Sequence, residues 1–312
     1  MKQLAYIIAL LLFPLAAIAD DVEIDGIWYN LVRKAKVAEV TWPKDYSKYA
    51  GDIEIPSSVE YNGIKYNVTI IGESAFQFSD ATSIVIPNSV KTIGYDAFGM
   101  SENLTSVTIP NSVTTIGEFA FDNCKSLSGI TIPESVTSIS NHTFFNCISL
   151  TSIIIPPSIT SIGKEAFSGA GLTSITIPAT VTEIGEAAFA YCKKLDNVSV
   201  EEGNPYYDSR DNCNAVIETA TNTLLVGTKN TVITSNITDI GYLAFSGREM
   251  ATIDIPDHVT KIHNDAFRAS GLTSITLPSS INSINDRVFC DCEGLTEITI
   301  PEKIKKRRLQ GI

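Results

Sequence analysis

The sequence predicts a repeat solenoid: a right-handed coil with a parallel β-sheet face, short second strands, helical turns and an N-terminal β cap. Three columns of residues predict it. Phenylalanine recurs at Phe76, Phe98, Phe121, Phe144, Phe167, Phe189, Phe245, Phe267 and Phe289, at steps of 22 or 23 residues with a single step of 56. Proline recurs in parallel at Pro87, Pro110, Pro133, Pro156, Pro178, Pro256, Pro278 and Pro301. Isoleucine precedes glycine at Ile71, Ile93, Ile116, Ile162, Ile184 and Ile240.

The clearest unit is Leu172-Thr-Ser-Ile-Thr-Ile-Pro-Ala-Thr-Val-Thr-Glu-Ile-Gly-Glu-Ala-Ala-Phe189. Its Ile-x-Ile alternation puts Ile175 and Ile177 on one face of a strand, with Ser174 and Thr176 on the other. Pro178 has no amide hydrogen, so it belongs where the strand leaves its ladder. Val181 and Ile184 return to the interior on a second short strand. Gly185 suits a turn with positive φ, and Glu186 to Phe189 fits one helical turn with Ala188 and Phe189 inward. About six apolar side chains per coil gain roughly 10 kcal/mol at about 1.5–3 kcal/mol each. Ordering over twenty residues costs more, at about 1–2 kcal/mol each. A lone coil therefore cannot fold, and stacked neighbours must supply the rest.

Length varies at one address, the loop from phenylalanine to the next leucine. It spans six residues from Phe98 to Leu104 and five from Phe167 to Leu172. The step of 56 contains an enlarged coil at about 203–227. There, strand-like runs at Asn214–Ile217 and Thr223–Val226, joined by Glu218-Thr-Ala-Thr-Asn222, read as a hairpin standing out from the solenoid.

These residues resemble the BspA-like leucine-rich repeat family, whose motif Leu-x-x-Ile-x-Ile-Pro-x-x-Val-x-x-Ile-Gly-x-x-Ala-Phe recurs almost intact from about Gly51 to Pro301. The resemblance implies a surface or secreted protein of a host-associated bacterium, with adhesion to matrix proteins or cells as its role. No catalytic residues come with it. Three coils depart from the motif, with Ser140, His263 and Asn285 in the glycine slot. Of these, asparagine tolerates left-handed geometry best.

The flanks read differently. Residues 1–19 have the form of a signal peptide, with Lys2, an apolar run from Leu4, and Ala17-Ile18-Ala19 before Asp20. The run is short of the roughly 20 residues that span a bilayer, so no membrane insertion of the mature chain is expected. Residues 20–70 alternate around Asp25-Gly26, a hairpin signal, and read as a β cap. The solenoid proper is 71–301, and 302–312 is a basic tail. Without residues 1–19 the chain has 22 basic against 35 acidic residues, a net charge of −13. That excludes nucleic acid as a partner.

Candidate sites are few. The outward strand positions form a Ser/Thr ladder that includes Ser106, Thr108, Thr131, Ser152, Ser174 and Thr176, on strands about 4.8 Å apart. Exposed strand faces favour such residues in any case, but solenoids also bind partners there. Tyr206, Tyr207 and Arg210, on the enlarged coil, are residue types that dominate interfaces. They can equally brace that coil. Asp208 to Asn214 carries oxygen ligands but departs from calcium-loop spacing, with Arg210 where a ligand would fall. Cys124, Cys147, Cys192 and Cys292 each lie three residues after the coil phenylalanine. They project in parallel, as small buried groups rather than a convergent metal site. No cofactor, metal or catalytic residue is expected.

The expected function is non-catalytic: a secreted or cell-surface adhesion protein that presents the Ser/Thr-lined face to a host matrix or cell-surface protein. The alternative is a glycan-binding module of a bacterial surface system. That alternative calls for exposed aromatics on the sheet, and the ladder has none.

Overall fold

The computed structural model describes residues 19–45 and 47–304. The apolar run of the leader and the end of the basic tail lie outside them.

The chain opens with the Asp-Gly hairpin. Strand Ala19–Ile24 pairs antiparallel with Ile27–Val32, which pairs with Val37–Val40. Asp25 and Gly26 both take positive φ, 50° and 81°, the mirror-image turn that matches strand twist. Val37–Val40 then lies parallel to Ile64–Ile71, which continues into the first second-strand, Thr92–Ile93. Tyr49 closes the core at this end. Its hydroxyl donates to the Thr41 carbonyl at 2.8 Å and accepts from the Trp28 amide at 2.9 Å. Its ring packs 4.7 Å from Phe76.

From Phe76 the spine follows the sequence pattern. The rings of Phe76, Phe98, Phe121, Phe144, Phe167 and Phe189 stack face to face at 5.0–5.5 Å, all buried. A second stack runs Phe245, Phe267, Phe289 at 5.1 and 5.7 Å. Between Phe189 and Phe245 the column is broken, and the buried apolar residues divide into two clusters at that point.

Each coil has three sides. Strands such as Asp80–Val85, Ser106–Thr108 and Ser174–Ile177 form the first, with Val107, Ile175 and their equivalents inward. The proline starts a tight turn, closed by the Val113 amide on the Pro110 carbonyl and the Val181 amide on Pro178. Two-residue strands, Thr115–Ile116 and Ser161–Ile162 among them, form the second side.

The third side differs from the expected helical turn. It carries two left-handed residues per coil, one column running Ser74, Asp96, Phe119, His142, Glu165, Ala187 and the other including Phe78, Met100, Asn123, Asn146 and Tyr191. A helical turn would use its amides internally. Alternating right- and left-handed residues instead aim them along the solenoid, so that the Phe98 amide donates to Ala120 O and Phe121 to Thr143 O, at 2.8 and 2.9 Å. Those inter-coil bonds, together with ring burial, offset the roughly 1–2 kcal/mol that each left-handed residue costs.

The turn glycines have negative φ, contrary to the reading of Gly185. Their role is close approach. A Cβ on Gly117 would lie 2.6 Å from the Gly94 carbonyl carbon, and on Gly185 2.5 Å from that of Gly163. Where glycine is missing, the side chain spans the gap to the preceding coil. Ser140 Oγ donates to Ile116 O, and Asn285 Nδ2 to Ile262 O, both at 2.7 Å.

The enlarged coil is woven into the solenoid rather than standing out from it. Val216–Glu218 pairs antiparallel with Thr223–Val226, which joins the second-side ladder parallel to Asp239–Ile240. Val216 and Val226 pack into the first apolar cluster, Ile217 and Leu224 into the second. The run 213–217 has nearly every side chain buried because it faces neighbours on both flanks.

Candidate functional site: the strand face

Serine and threonine have two distinct uses here. Off the ladder, their hydroxyls tie each coil to the one before. Thr105 Oγ1 donates to Thr82 O at 2.8 Å, Ser158 Oγ to Val136 O at 2.8 Å and Thr173 Oγ1 to Thr151 O at 3.2 Å. On the ladder, the side chains of Ser106, Thr108, Thr131, Ser152 and Ser174 are exposed, and none has a hydrogen-bond partner among the described residues. Thr176 shares a bond with Ser199, 3.1 Å between their oxygens. Satisfied hydroxyls are structural, whereas free ones on an open face are available to a partner.

The strand face is not continuous. Asp80–Val85 pairs with Ser106–Thr108, and Ser174–Ile177 with Asn197–Val200. Between these pairs, only a Ser106–Gly129 bridge remains. Residues 130–132 and 152–155 form no strand, and the amides of Thr131, Ile132, Ile153, Ile154 and Ile155 have no backbone partner among the described residues. The lapse coincides with a groove of about 1020 Å³, lined by Thr108, Thr131, Ser152, Thr176 and Glu201 among others. Ile154 stands in it 85% exposed, the most exposed large apolar side chain among the described residues. Its charged lining residues are Glu134 and Glu201; no lysine or arginine lines it. Thr108, Thr131, Ser152, Ser174 and Thr176 thus share one groove, and Ser106 lies just outside it. The outward alternation of these positions is plain in the sequence, but the opening of the ladder between them is not.

The tyrosine cluster is not part of this face. Tyr207 is buried, its hydroxyl accepting from the Ile184 amide at 3.0 Å, while Tyr206 is about half exposed. Arg210 is clamped on Asp208, with Nε 2.8 Å from both carboxylate oxygens. That pairing occupies the Asp208 carboxylate of the calcium-like stretch. Among the described residues no group of histidine, cysteine and acid side chains converges as a metal site.

The cysteines are free thiols. Cys124, Cys147, Cys192 and Cys292 direct Sγ at the carbonyls of Phe98, Phe121, Phe167 and Phe267, at 3.0–3.2 Å. Ser101 does the same for Phe76 at 2.6 Å. The column caps the carbonyl of the preceding coil's phenylalanine. Burial pushes the Cys192 thiol up to about 11, which keeps it a neutral donor.

A second, half-buried feature was not anticipated. On the turn side, Tyr95, Phe119, His142 and Phe145 form a contiguous row, with Phe119 and His142 stacked at 4.4 Å. Acids flank it. Burial, with the charges of Asp122 and Glu73, raises Asp96 to about 6, and burial raises Asp122. These positions vary in type from coil to coil, so the repeat pattern hid them.

The BspA type leucine rich repeat region model matches six copies, over residues 69–199 and 225–308. The chain belongs to that family. A leucine rich cell surface protein of Faecalibacterium prausnitzii is similar at 29% identity, with TM-score 0.71, over 91% of this chain and 83% of that one. The pneumococcal vaccine antigen PcpA shares the fold at 20% identity and TM-score 0.67, over 93% and 72% of the two chains. A leucine-rich repeat protein from Eubacterium ventriosum does so at 21% and 0.63, over 88% and 69%. No curated protein matches the chain. No helix among the described residues is long and apolar enough to cross a membrane.

Proposed function

We propose that the protein is a secreted or cell-surface adhesion protein without catalytic activity, and that the strand-face groove holds a segment of a host matrix or cell-surface protein. The observation that carries this is the coincidence, within one groove, of unpaired hydroxyls, unpaired backbone amides and the exposed Ile154. Interfaces pair an apolar anchor with surrounding polar contacts. Glu134 and Glu201 favour a neutral or basic segment over an acidic one. Export and surface placement draw support from the leader-like residues 1–19 and from the surface relative.

The test is capture from a panel of matrix proteins and glycans by immobilised chain, repeated with Thr131→Arg and Ile154→Glu. Both positions are exposed, so folding should survive. Binding that falls at least tenfold in both variants supports the groove. Undiminished binding in both removes it as the site. The aromatic row favours a second reading, sugar stacking on the turn side. In that case a glycan on the panel binds wild type and fails to bind Phe119→Ser, while the groove variants bind normally.

A further inference from the structure

The break in the phenylalanine stack is a built cavity. At the ordinary seams preceding it, the left-handed residue and the phenylalanine both donate their amides to the next coil: Glu165 to Glu186 O at 3.0 Å, and Phe167 to Ala188 O at 2.8 Å. At the seam after Phe189 this stops. Gly227 is wedged in from the enlarged coil, and its amide takes the Ala244 carbonyl at 2.9 Å, the acceptor Phe189 would have used. Gly227 lies so close to the Phe245 ring that a Cβ would sit 2.2 Å from it. The amides of Ala187 and Phe189 are left with no partner among the described residues. Both residues line a cavity of about 150 Å³, together with Ile184, Leu225, Leu243 and Arg248.

Arg248 is 1% exposed. Its described partners are neutral: Gly227 O at 2.7 Å from Nε, Cys192 O at 2.8 Å from Nη1 and Phe189 O at 2.9 Å from Nη2, with the buried Cys192 thiol beside it. No described carboxylate reaches it, and of its four terminal N–H groups at least one is left over after the two carbonyls and the thiol. The acid on the cavity lining, Glu186, is exposed and lies 3.7 Å from Lys164 Nζ. A buried cation without a counter-charge is costly. Backbone amides bunched at a turn that alternates right- and left-handed residues form an anion-binding concavity.

We infer that this cavity binds a short-chain monocarboxylate, its carboxylate held by the Ala187 and Phe189 amides and Arg248, its alkyl tail against Ile184, Leu225 and Leu243. The volume is well below the roughly 300–1,000 Å³ of pockets for drug-sized ligands, so only a few carbons fit. The site is independent of the strand-face groove.

The test is an amide NMR titration of the ¹⁵N-labelled protein with sodium propionate, against sodium chloride at equal ionic strength and against propionamide. Propionate alone should shift the Ala187 and Phe189 resonances, saturably, in the millimolar range. Leu243→Phe, which fills the cavity and leaves Arg248 in place, should abolish the shifts. Absent shifts, shifts equal with chloride or propionamide, or shifts unchanged in the filled variant overturn the site and leave a water-filled void. Should the variant not fold, the wild-type melting temperature decides. A rise with propionate alone supports the site; an equal response to all three solutes overturns it.

Discussion

The guanidinium of Arg248 donates to the carbonyl of Phe189 at 2.9 Å, across the break between the two aromatic stacks. Arg248 occupies the position three after Phe245, where other coils carry Ser101, Cys124, Cys147, Cys192 or Cys292. Each of these caps the phenylalanine carbonyl of the preceding coil. At this seam the enlarged coil spreads the two coils apart, and a serine or cysteine would fall short. Arginine has the reach, and its other nitrogens hold the carbonyls of Cys192 and Gly227 as well.

Arg248→Met should therefore lower stability by at least about 2 kcal/mol, since several buried carbonyls lose their donors at about 1–3 kcal/mol each. Arg248→Lys should not restore it, because one ammonium cannot replace a planar fork. Urea unfolding monitored by circular dichroism checks both. The loss should appear as an earlier transition that uncouples the residue 230–304 block from the rest.

Phe167→Ala removes a ring from the middle of the first stack, where Phe144 and Phe189 flank it at 5.3 Å on each side. The expected cost is about 3–5 kcal/mol. An unfolding midpoint equal to wild type would place the ring outside the core.

Asp96 provides a pH signature. Its folded-state value is raised to about 6, from 3.8, so between these limits the folded form holds more protons than the unfolded one. Stability from this group is fully present below about pH 3.8 and is lost as pH rises through 6. Asp96→Asn, which keeps a side-chain partner for Gln77, should stabilise the protein at pH 7 and lose that advantage at pH 4. Thermal melts of the two proteins across this range read the crossover.

The spine was legible in the sequence because phenylalanine, proline and isoleucine keep register over many coils, and only inward positions must align. The turn was not. Glu186-Ala-Ala-Phe189 has good local helix propensity, yet Ala187 is left-handed, as is Glu165 one coil earlier, where the turn amides of Glu165 and Phe167 reach the next coil. The glycine column was visible, but its cause is contact between neighbouring backbones, which no single coil reveals. The Ser/Thr ladder was legible as a list of positions. The lapse in its hydrogen bonding at 130–132 and 152–155 was not, since the local motif there matches its neighbours. Arg248 has a signal in the sequence, a charged residue in a column otherwise small or thiol-bearing, but the wedged Gly227 that calls for its reach lies outside the repeat motif.

Hydrogen–deuterium exchange of the protein, free and bound to a captured partner, tests the adhesive role of the groove most directly. In the free protein the amides of Thr131, Ile132, Ile153, Ile154 and Ile155 should exchange rapidly beside slow ones in Ser174–Ile177, and the partner should protect them. Protection confined to the Tyr95–Phe145 row or to the enlarged coil, with the groove amides unchanged, would contradict the account.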